Sequence, residues 1–149
     1  MKADKKTEAE IKAVLERMAE AYQNNDVDAV MGCYAPDPGV VSIGTGNDEK
    51  YIGPEQLRQA YERDFAQSES VSMTFDWLSV SIAAAGNVAW VASDITVHVL
   101  VSGKDLTFSG RLTGVMENRD GNWLIVQGHF SLPAAEQPDG QSFPETQKK

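Results

Sequence analysis

The chain predicts an α+β fold in which three helices lead into a strongly curved, mostly antiparallel sheet, and three observations carry that prediction. Apolar residues recur at helical spacing only within the first 65 or so positions. From Val71 to Pro133 the pattern changes to long runs of alternating apolar and polar residues. Those runs are separated by Gly86-Asn87, Ser102-Gly103-Lys104 and Asp120-Gly121, the chemistry of tight hairpin turns. Helices grouped before a run of hairpins gather on one face of the sheet, closing a cone.

The stretch Asp105 to Pro133 is the frame of the fold, read as two long strands folded back through Asn118-Arg119-Asp120-Gly121-Asn122. Strict alternation puts Leu112, Gly114, Met116, Leu124, Val126, Gly128, Phe130 and Leu132 on a greasy face. It puts Arg111, Thr113, Val115, Trp123, Ile125, Gln127, His129 and Ser131 on the other.

Ahead of that hairpin, Ile11, Val14, Leu15, Met18, Ala21 and Tyr22 form one apolar stripe of a helix over Thr7 to Asn25. Asp26 is placed to cap a short second helix carrying Val27, Val30, Met31 and Tyr34, which Pro36, Pro38 and Gly39 end. Val40 to Ile43 is β-rich, Gly44 to Glu49 is a loop, and Tyr51-Ile52 can pair back. Gly53-Pro54 then opens a third helix with Leu57, Ala60, Tyr61 and Phe65 inward. Two further strands span Val71 to Ala84 and Val88 to Val101. A single domain over 1–133 is expected, followed by an aperiodic, mobile tail over 134–149.

Composition narrows the function classes. Thirteen Lys plus Arg stand against 22 Asp plus Glu, a net charge of -9 that repels phosphate backbones and anionic membranes, so neither nucleic acid nor membrane is expected as a partner. The start, MKADKKTEAE, runs into a polar helix with no apolar signal core, and no apolar run reaches about 18 residues, so a cytoplasmic protein is expected. Cys33 is the lone cysteine and excludes an internal disulfide; its ordinary role is a small apolar residue on a helix face. No metal site and no cofactor is expected. His98 and His129 have opposite strand parity, and no HExxH, GxGxxG or Walker pattern occurs.

The element order, together with Gly44-Thr-Gly, Asp48-Glu49, Gly53-Pro54, Gly110-Arg-Leu-Thr113 and Asp120-Gly-Asn-Trp123 running into His129-Phe-Ser-Leu-Pro133, resembles the nuclear transport factor 2-like superfamily and its SnoaL-like group. The resemblance implies a cystatin-like cone with a ligand pocket between helices and sheet. It implies no single activity, because the superfamily includes isomerases, cyclases, dehydratases, transport factors and assembly domains. The last strands also resemble the association domain of calcium/calmodulin-dependent protein kinase II, through Ile95-Thr96, Arg119-Asp-Gly, Trp123 and His129 to Ser131. Three pocket arginines of that domain match Asp94, Gly114 and Phe130 here, so the charge is removed or reversed. The acid that ketosteroid isomerases keep before the third helix falls in Val40 to Thr45, which offers Ser42 and Thr45. The acid kept on the penultimate strand falls among Thr113, Gly114 and Val115.

These comparisons make Asp94 the candidate acid or base. It shares strand parity with Trp90, Thr96 and His98, and a flat strand turns that set toward the helices, where loss of hydration raises a carboxyl pKa. A satisfied structural Asp, or a bulge that turns it outward, is the alternative. The expected ligand pocket comprises Tyr22, Tyr34, Trp90, Asp94, Thr96, Gly114 and Phe130, with Asp48 and Glu49 at its mouth. Arg111, Thr113, Trp123, Ile125, Gln127 and His129 are expected to form a sheet-to-sheet homodimer face. The expected function is binding of a small, largely apolar organic molecule, with an acid/base isomerase, dehydratase or cyclase and an assembly module as alternatives.

Overall fold

The structure, a computed structural model, describes residues 1–145. Helix α1 (Lys5–Gln23) begins where the Asp4 carboxylate accepts the Thr7 amide at 2.7 Å. Helix α2 (Val27–Met31) begins at Asp26, which accepts the Ala29 amide at 3.0 Å, as its position before Val27 predicts. Strands β1 (Val41–Ile43) and β2 (Lys50–Ile52) pair antiparallel, and α3 (Gly53–Gln67) follows at once with proline in its first turn.

Four long strands complete the chain: β3 (Ser70–Ile82), β4 (Val88–Val101), β5 (Lys104–Arg119) and β6 (Asn122–Ser131). The sheet order is β2-β1-β6-β5-β4-β3, antiparallel throughout except where β1 runs parallel to β6. Two of the hairpin turns, Ser102-Gly103 and Asp120-Gly121, hold both residues at positive φ, the geometry that matches strand twist across a two-residue connection. After Ser131 no helix or strand occurs among the described residues; positions 146–149 of the expected tail lie outside them.

The core lies between the helices and the concave face of the sheet. Ile11, Val14, Leu15 and Met18 of α1 and Leu57, Ala60 and Tyr61 of α3 are buried there, as their helical spacing predicts. Each of the Ile, Val, Leu and Met side chains among them contributes about 1.5–3 kcal/mol when removed from water.

Two bulges decide which side chains join them. In the β5–β6 pair Val115 opposes Gln127 but Met116 opposes Ile125, so Val126 is an extra residue. Alternation restarts across it. Trp123 and Ile125 consequently face the core, each 5% exposed, and Trp123 Nε1 donates to Glu10 at 3.1 Å. This corrects their assignment to the dimer face, because one inserted residue exchanges the two sides of a strand. Beyond the bulge Gln127 and His129 point outward, together with Arg111 and Thr113 of β5.

On β4 the assignment is also reversed. Ala89, Val91, Ser93, Ile95 and Val97 are buried, and Trp90, Asp94 and His98 are exposed. The odd-numbered set is almost wholly aliphatic and can be dehydrated without partners, whereas the even set contains a carboxylate and an imidazole. The helix layer takes the aliphatic set. A second bulge inserts Asp76 between Phe75, opposite Ile95, and Trp77, opposite Asp94, leaving Trp77 outward and 54% exposed.

Candidate functional site

A cavity of about 430 Å³ opens between α1, α3, the Gly44 to Glu49 loop and the distal half of the concave sheet. Its walls are chiefly apolar: Met18 and Leu57 from the helices, Val71, Ile95 and Val97 from the sheet, and Phe130 from β6. These come from strand and helix positions whose periodicity points them inward. The polar groups are few and concentrated on α1, α3 and the loop.

The central polar pair joins the two long helices. The Tyr22 hydroxyl donates to Asp64 Oδ2 at 2.7 Å, and both residues line the cavity. Burial holds the Asp64 carboxyl above the usual carboxylate range, and the nearby Glu49 charge adds to that; the Tyr22 hydroxyl and Arg63 oppose it. Burial, followed by the Asp64 charge, raises Tyr22 as well, so its hydroxyl keeps its proton and acts as a donor. Below this pair Tyr34 and Tyr61 share a hydroxyl hydrogen bond of 2.6 Å. Burial is the leading cause that raises both of them. Edge-on contacts of Tyr22 with Tyr61 and Phe65, at centroid separations of 5.8 and 5.1 Å, pack the rings around Asp64's end of the cavity.

The mouth is tied by Arg63. Its guanidinium reaches Asp48 at 3.4 Å, Glu49 at 3.1 Å and the Tyr51 hydroxyl at 2.7 Å. Glu49 also accepts the Gly46 amide at 3.0 Å, and its side chain fills the space where a Cβ on Gly44 would lie, so Gly44 lets the carboxylate fold in against the cavity.

Of the residues expected in the pocket, Tyr22 and Phe130 line the cavity, and Tyr34 sits beneath it through its bond to Tyr61. Gly114 lies on the concave face but against the packed end of the core, beside Val91. Trp90, Asp94 and Thr96 belong to the convex face, so the structure corrects their assignment. Asp94 opposes Arg111 across the strands and Thr96 donates to Asp76 at 2.5 Å. At the mouth Glu49 reaches the cavity, whereas Asp48 remains at the exposed rim.

Asp64 was missed, although the sequence carries its signal. It falls four residues after Ala60 and three after Tyr61, within the buried stripe of α3, where a carboxylate interrupts apolar spacing. Among the described residues no three His, Cys, Asp or Glu side chains converge on a metal-sized site, and no helix is long and apolar enough to cross a membrane.

The cone, with its cavity between helices and curved sheet, agrees with the sequence match to the SnoaL-like domain over residues 11–135. The chain belongs to the SnoaL-like family. A Xanthomonas campestris protein, provisionally assigned as a calcium/calmodulin-dependent protein kinase II association domain, is 25% identical and superposes with a TM-score of 0.75, covering 85% of this chain and 87% of that one. A nuclear transport factor 2-like protein from Salmonella enterica serovar Typhimurium gives a TM-score of 0.80 at 19% identity, covering 95% of this chain and all of its own, 100%. A Novosphingobium aromaticivorans protein provisionally assigned as a scytalone dehydratase gives 0.77 at 11% identity, with coverage of 86% and 85%. The latter two share the fold alone. No curated protein matches this SnoaL-like chain at a significant level.

Proposed function

We propose that this SnoaL-like domain binds a small, largely apolar organic molecule in its cone cavity. The observation that supports it most is the combination of a roughly 430 Å³ space with walls of Ile95, Val97, Leu57 and Phe130 and a buried polar pair, Tyr22 and Asp64, within it. Ligand sites of this size typically pair apolar walls with a few directing groups. Native mass spectrometry of freshly purified protein, followed by identification of any molecule released on unfolding, tests this. A retained organic ligand, or a melting temperature raised by small apolar compounds, is expected; an empty protein insensitive to such compounds overturns the reading.

A second reading, acid/base catalysis on the bound molecule, rests on Asp64. Of the groups in the cavity it combines a carboxylate, a raised pKa and a fixed hydroxyl partner, so the role expected of Asp94 passes to it. The reading carries with it a cytoplasmic homodimer. The convex face offers Trp77 and Trp90, 54% and 45% exposed, among Arg111, Thr113, Gln127 and His129, which suits a two-fold sheet-to-sheet contact.

A further inference from the structure

The ionisable groups lining the cavity have one sign. Asp64 and Glu49 reach its wall, and among the described residues no lysine, arginine or histidine does. Arg63, beside them, does not offset both. Its guanidinium is already engaged by Asp48, Glu49 and the Tyr51 hydroxyl, so one positive charge is shared between two carboxylates. Among the described residues Asp64 has one side-chain partner on its carboxylate, the Tyr22 hydroxyl on Oδ2, which leaves Oδ1 without one. Five aromatic rings share the lining with the aliphatic residues, Tyr22, Tyr51, Tyr61, Phe108 and Phe130, and Tyr22 and Tyr61 pack edge-on at Asp64's end.

Building on the ligand-pocket reading, the geometry points to a ligand with a positive charge: a protonated amine on a largely apolar body, its nitrogen against Asp64. A ligand without a donor would strip water from Oδ1 and return nothing, and a hydroxyl would return one neutral hydrogen bond, whereas an ammonium replaces that water with a stronger, charge-assisted one. Aromatic rings around a desolvated cation add a further attraction. A carboxylate ligand meets two like charges. The protein's net charge of -9 works in the same direction, enriching cations near the mouth. The burial that holds the Asp64 carboxyl above its usual range is the strain a bound cation relieves.

Three probes of nearly equal shape separate the possibilities: 4-phenylbutylamine, 4-phenylbutan-1-ol and 4-phenylbutyrate, titrated calorimetrically into the full chain at neutral pH. The amine is expected to bind about tenfold or more tighter than the alcohol, the increment of a hydrogen bond to a charged group, with the acid weakest. Asp64→Asn keeps the shape and the contact to Tyr22 and should erase the amine's advantage while leaving the alcohol's affinity in place. Asp94→Asn, on the convex face, should leave the ranking unchanged. An alcohol that binds as tightly as the amine overturns the charge assignment and leaves the pocket reading standing. An amine preference that survives in Asp64→Asn, or vanishes in Asp94→Asn, overturns the role of Asp64. If the wild-type protein binds none of the three, the pocket reading falls together with this one. The ranking by the wild-type protein decides the charge class even if Asp64→Asn fails to fold.

Discussion

Each side of the molecule presents a carboxylate among aromatic residues. On the concave side Asp64 lies within the cavity, hydrogen-bonded by Tyr22 and walled by Tyr61 and Phe130. On the convex side Asp94 lies between Trp77 on one neighbouring strand and Arg111 on the other, with Trp90 four residues away on the same face, in contact with solvent. Residue type is nearly the same in the two places, and the surroundings are not. An enclosed, low-polarity space raises the Asp64 carboxyl and leaves it one oxygen to offer. An open sheet face gives water to Asp94 and leaves Trp77 and Trp90 uncovered, the surface proposed for the dimer contact. Chemistry follows the helices that cover a strand, more than the residues on it.

The comparison breaks most visibly at the bulge. Ile125→Glu puts an unpaired carboxylate into the core and should cost about 4 kcal/mol or more in chemical denaturation. Thr113→Glu, on the convex face, should leave the fold intact and shift the sedimentation of the proposed dimer toward monomer. If Ile125→Glu instead gave a stable monomer, Ile125 would belong to the outer face after all. A smaller loss is expected for Tyr34→Phe, which leaves the buried Tyr61 hydroxyl without its partner and should cost about 1–3 kcal/mol.

Smaller again is the pH effect of Asp64. Between the ordinary carboxyl value of 3.8 and its raised folded value, the folded chain holds the proton more tightly than the unfolded chain does. Stability therefore falls as pH rises through that window, and the deficit is complete above it. Asp64→Asn removes the deficit, so the variant should gain on wild type in denaturation midpoints measured at successively higher pH from about 3.8. A constant difference across that range would mean that the carboxyl titrates alike in both states. The smallest effect is that of Asp94→Asn, expected to leave the melting temperature unchanged.

The sequence exposed the element order well because each piece carries its own signal. The stripe from Ile11 to Ala21, the cap at Asp26, the Gly53-Pro54 helix start and the Asp120-Gly121 turn are local, and local chemistry is enough to specify them. Facing was harder. The alternation of β6 reads as continuous, but Val126 interrupts the register, and only the pairing partner on β5 reveals it. On β4 the aliphatic set Val91, Ile95 and Val97 was legible as the inner one; weight given to Asp94 by the resemblance placed the other set inside. Tyr22 and Phe130 were identified as cavity residues, whereas Asp64 was passed over because an acidic residue on a helix is ordinarily solvated. Its burial depends on the neighbouring α1 and on the loop folded over it, neither of which its own helix encodes.

The parallel pairing of β1 with β6 has a consequence for assembly. Strands β3 to β6 are joined by tight turns and can zip together through contacts near in sequence, but β1 reaches β6 only when Val41 meets Gln127 across most of the chain. Closing so long a loop carries a larger entropic penalty and delays the contact relative to the hairpins. The cavity has walls on both sides of that closure, since Ser42 and the loop after β1 face Ile95 and Phe130 across it. An occupant therefore grips the two halves of the chain at once, and a molecule bound there would act as a clasp on a long-range seam of the protein, favouring the closed chain more the tighter it binds.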